Sequence, residues 1–167
     1  MRVVLPLLAV ACYGPGVEPA EQLTLADSYG DVRGSLEVDG EAVSFASGVA
    51  YGNSFFHGGD NVLVFTEWGG SQCDGDGPVD WEATEAGYAL DVAFDDEGGV
   101  EEEQSTLWLC GATNGRMVCE GVAYPDLVLG FTALKLEAGE LATGTVEVSK
   151  DGVEGSLDFS VTFCGVE

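Results

Sequence analysis

Hydrophobic and polar positions alternate along most of the chain with a period of two, the pattern of strands that bury one face. Tyr88, Leu90, Val92 and Phe94 alternate with Ala89, Asp91, Ala93 and Asp95. Leu157, Phe159, Val161 and Phe163 alternate in the same way with Asp158, Ser160, Thr162 and Cys164. Val43, Phe45, Val49 and Tyr51 keep one phase through 42–51, and Val62 to Phe65 is an unbroken apolar run suited to a central strand. Turn residues fall between these runs. Asp39-Gly40 separates Leu36-Glu37-Val38 from the 42–51 run, and Asp151-Gly152 separates Thr145–Ser149 from Val153–Phe163, two hairpin signals.

Strands are therefore expected at 22–26, 34–38, 42–51, 61–68, 86–95, 104–110, 116–124, 128–137, 143–149 and 153–164. About eight to ten strands at this spacing predict an all-β fold, a two-sheet antiparallel β-sandwich, with a closed β-barrel as the alternative. Only LKLEAGEL, 134–141, leaves room for a helical turn, and Gly139 keeps it short. The two hairpins share a look, GSLEV then DG and GTVEV then DG, which common strand composition explains because no repeat persists between them.

Length and composition fit one domain: 167 residues, 46% of them hydrophobic and 10% aromatic, enough to bury a core. Charge changes the picture more. Thirty Asp and Glu against five Lys and Arg give a net charge of -25. Such a field repels phosphate backbones, which excludes nucleic-acid binding, and attracts cations and basic protein partners. Solubility, or adaptation to high salt where screening weakens self-repulsion, accounts for the same composition without any specific partner.

The first twelve residues, MRVVLPLLAVAC, place Arg2 before a short apolar run from Val3 to Ala11, the form of an export signal. The run is too short to cross a bilayer as a helix, which takes about 20 residues. Leu8-Ala9-Val10-Ala11-Cys12 resembles the lipobox of bacterial lipoproteins, with Ala9 where that family usually has Leu. The resemblance implies removal of residues 1–11, diacylation of Cys12, and display in the cell envelope, at the outer membrane, facing the periplasm or the surface. A diacylated cysteine suffices for stable anchoring. An ordinary secretory signal cut near Ala11 is the competing reading. Residues 12–21, rich in Gly and Pro, form the tether, and 22–167 the domain.

Four further cysteines, Cys73, Cys110, Cys119 and Cys164, make an even count, which in an exported chain reads as two disulfides. Cys110 and Cys119 lie in two strands around a turn-rich GATNG segment, which favours their pairing and leaves Cys73 for Cys164. Zinc is disfavoured: no pair has CxxC spacing, and His57 is the only histidine.

Candidate chemistry is sparse. CDGDGPVDWE carries Asp74, Asp76, Asp80 and Glu82, hard oxygen ligands of the kind calcium takes, but in EF-hand register Ala83 falls where the bidentate acid belongs. The runs Asp95-Asp96-Glu97 and Glu101-Glu102-Glu103 read as a solvated loop. A carboxylate pair for glycoside hydrolysis is uninformative among thirty acids, and no GxSxG elbow accompanies His57. Trp68, Trp81, Trp108, Tyr51, Tyr88 and Tyr124 could stack on sugar rings, yet Tyr51 and Tyr88 fall in core phase, which leaves Trp81, between Asp80 and Glu82, as the ring expected at the surface. The sequence thus describes a non-catalytic binding or structural module on an envelope lipid anchor. Calcium, the one cofactor it allows, or carbohydrate binding is the alternative, and a glycosidase the third reading.

Overall fold

A computed structural model of the protein describes residues 30–52, 60–68, 86–113, 116–150 and 152–166. The expected strand at 22–26 lies outside them. The ten strands are β1 (Asp31–Val38), β2 (Glu41–Val43), β3 (Ser47–Gly52), β4 (Asn61–Thr66), β5 (Gly87–Phe94), β6 (Thr106–Thr113), β7 (Arg116–Ala123), β8 (Asp126–Ala133), β9 (Leu141–Lys150) and β10 (Val153–Val166). One short 3-10 turn, Glu102–Gln104, precedes β6. The fold is all-β, as the period-two pattern requires. Among the described residues no helix is long and apolar enough to cross a membrane.

All ten strands join one curled, open sheet, and β10 holds it together. Its residues Val153–Ser160 pair antiparallel with β1 on one side and Val153–Thr162 with β9 on the other, and β9 in turn pairs β8. Its end, from Phe163 to Val166, pairs parallel with β3, which leads on through β4, β5 and β6 to β7. Two hairpin turns meet where β1 and β10 begin to pair. Asp39 and Gly40 both take positive φ, 51° and 85°, the two-residue turn expected from Asp-Gly, and Asp39 N–H donates to Gly152 O at 2.8 Å.

The two halves of the sheet enclose one core. Leu36, Val146, Leu157 and Phe159 from the β1–β10–β9 half are buried in the same cluster as Leu63, Phe65, Leu90 and Val92 from the β4–β5 half. A run of rings crosses between them: Phe65 to Phe159 at 5.6 Å, Phe159 to Phe131 at 5.8 Å, and Phe131 to Phe94 at 5.0 Å. Tilted and edge-on contacts of this kind add about 0.5–1.5 kcal/mol each beyond burial.

Several expectations need correction. The stretch 42–51 is two strands: Ser44, Phe45 and Ala46 leave the pairing with β1 and carry the chain to β4. The bend also moves the faces. Val43 and Phe45 enter the main core, whereas Val49 and Tyr51 join Val62, Val64 and Cys164 in a second cluster on the opposite face of β3 and β4. That second cluster explains why Val62 to Phe65 is apolar throughout, since β4 is covered on both faces. The expected strand 128–137 runs instead from 126 to 133, and Leu134 and Leu136 pack on the core without a partner strand. LKLEAGEL makes no helical turn: Glu140 N–H donates to Glu137 O at 3.0 Å in a tight turn in which Gly139 takes φ of 86°.

Candidate functional site on the outer face of β5, β6 and β7

The face of β5–β7 that points away from the core carries an unusual set of side chains. Trp108 on β6 stands directly opposite Ala89 on β5 and Gly121 on β7, so the largest side chain on the face is flanked by two of the smallest. Its Nε1–H donates to Asp91 Oδ2 at 2.9 Å. A Cβ on Gly121 would lie 3.6 Å from Trp108 Cζ3. The indole thus reaches from a β5 carboxylate towards the β7 backbone, lying across the strands rather than standing off them. Trp68, buried at the end of β4, packs with Ala89 and Cys110 beside it.

Gly121 lies where three side chains converge. The same notional Cβ would lie 3.6 Å from Tyr124 Oη and 3.3 Å from Thr106 Cγ2, so Thr106, Trp108 and Tyr124 already fill the space over this glycine. Tyr124 is 62% exposed. A register shift sets it there: Leu107 pairs Ala123 and Trp108 pairs Gly121, which leaves Val122 as an extra residue and turns the chain beyond it. Val122 is itself exposed, as are Leu109 and Val118 on the same two strands.

The disulfide lies on the next rung of the same face. Cys110 pairs Cys119 across β6 and β7, each two residues from Trp108 and Gly121 respectively, and their sulfurs are bonded at 2.08 Å. Among the described residues β7 has a strand on one side only, so the bond fixes the edge strand that carries Gly121 to the strand that carries Trp108. This pairing is the one expected from the sequence.

Cys164 is also disulfide-bonded, with its partner outside the described residues. Cys12, Cys73, Asp74, Asp76, Asp80, Trp81 and Glu82 lie outside them too, as does His57. Among the described residues no group of three or more His, Cys, Asp or Glu is placed to hold a metal ion. The second acidic run is a built loop: Asp95 Oδ1 accepts the N–H groups of Glu97 and Gly99, both at 2.8 Å, and Asp96 accepts from Asn61 at 3.0 Å. The buried hydroxyls of Ser47 and Thr66, 2.9 Å apart, pass their hydrogen bonding on to Trp68 O at 2.6 Å from Thr66, which fixes the end of β4 beneath the aromatic face.

Chemically, the face offers an indole whose orientation is fixed by Asp91 and a phenol hydroxyl that packs near it over Gly121. Sequence reasoning set Trp81 apart and did not bring Trp108, Gly121 and Tyr124 together. The available signal was TLWLCG, where Trp occupies the phase opposite Leu107 and Leu109, but the register that sets Gly121 against it depends on the extra residue at Val122. No family model, curated protein or solved structure matches the chain.

Proposed function

We propose that the chain is a non-catalytic binding module, exported and displayed from a bacterial envelope by a lipid on Cys12. The observation that carries the binding reading is the disulfide-held edge of the sheet, where Trp108 and Tyr124 pack around Gly121 and Tyr124 remains 62% exposed. Edge aromatics exposed to water are where recognition by stacking operates. Export is supported by the Cys110–Cys119 bond and by Cys164, also oxidised, since such bonds persist in oxidising compartments. In finer description the curled sheet is a β-sandwich whose two layers share β10, the aromatic run from Phe65 to Phe94 being its interlayer contact.

Two measurements test this reading. Wild-type protein expressed in a bacterial host is expected in the membrane fraction with a diacyl mass on its mature N-terminus, and Cys12→Ser in the soluble fraction; an unmodified, soluble wild type removes the anchor from the proposal. The domain from residue 22 onward, secreted and purified, is expected to co-sediment with isolated cell envelopes, and the double variant Trp108→Ala, Tyr124→Ala to lose most of that binding. A domain that stays in the supernatant at every envelope concentration leaves only a structural role.

A further inference from the structure

We draw no further inference here: the strongest candidate, the exposed apolar side chains Leu109, Val118, Val122 and Tyr124 on and just beyond the β6–β7 hairpin, carries nothing beyond the site already described, because nothing in the structure shows what covers them.

Discussion

Gly34 sits in the middle of β1 with φ of +105°, opposite Leu157 on β10, and a Cβ there would meet the carbonyl oxygen of Ser156 at 2.2 Å. Two independent penalties therefore attend any side chain: the backbone region is one that L residues avoid, at about 1–3 kcal/mol, and the clash is with backbone, which cannot swing away as a side chain can. Gly34→Ala is expected to lower the urea midpoint by the equivalent of at least 2 kcal/mol, or roughly that order from strain alone. An unchanged midpoint would show that β1 and β10 can separate locally at no cost. The contrast with Gly121 is instructive. There the backbone is ordinary and the neighbours are side chains at 3.3–3.6 Å, so a substitution crowds side chains that can give way and not a carbonyl that cannot. The two glycines look alike in the sequence, because nothing in GSLEV or CEGVA reveals which one faces a backbone carbonyl and which a group of side chains.

At the scale of elements, the β6–β7 hairpin is the place where stability and the proposed site meet. Its two strands contribute few side chains to the main core: Leu107 is buried in it and Ala123 packs against it, while Leu109, Val118 and Val122 are exposed. Cys110 and Cys119 are nine residues apart, and closing a loop of that size stabilises by about 2–3 kcal/mol in the chain-entropy account. Replacing both by Ala is expected to lower the melting temperature and to raise amide hydrogen exchange in Arg116–Ala123 more than in β9 or β10, whose long pairing does not depend on the bond. Equal acceleration across all strands would mean that the hairpin unfolds only with the whole domain. Elements were also what the sequence revealed best. Nine of the expected strands have counterparts because period-two alternation follows directly from one-sided burial. The bend at 44–46 was hidden because Val43, Phe45, Val49 and Tyr51 keep one phase through it, although the chain there leaves β1 and the last two residues turn to the opposite face. Burial on that second face restores apolar residues where a solvated face would have shown polar ones, so the pattern carries no mark of the change.

The whole molecule is governed by its charge. Each of the three cationic side chains that the structure describes, Arg33, Lys135 and Lys150, is already paired with an acid, at Asp31, Glu140 and Asp126. Asp31 raises the Arg33 pKa and Glu140 that of Lys135, in both cases first through the hydrogen bond and then through charge. All three pairs are at the surface and add little to stability. The ladder sets two acids directly against each other: Glu37 on β1 faces Glu154 on β10, both exposed. Like charges opposite one another on a sheet cost about 0.2–1 kcal/mol, and the net charge of -25 adds a diffuse repulsion that expansion on unfolding would relieve. Salt shortens the range of both, from about 30 Å at 0.01 M to about 3 Å at 1 M. The melting temperature is therefore expected to rise from 0.01 to 1 M NaCl, and to rise as far in KCl, because screening depends on ionic strength and not on the identity of the ion. Glu37→Lys separates the local repulsion from the diffuse one. It turns the facing pair from repulsive to attractive and is expected to stabilise by about 0.5 kcal/mol at 0.01 M salt. That amounts to about 1–2 °C in a chain of this length, and the gain is expected to vanish at 1 M. A gain that survives 1 M salt would locate its origin in packing at the β1–β10 pair, and a melting temperature flat in salt for the wild type would show that the acids are far enough apart, or sufficiently neutralised, for the fold to carry its charge without strain.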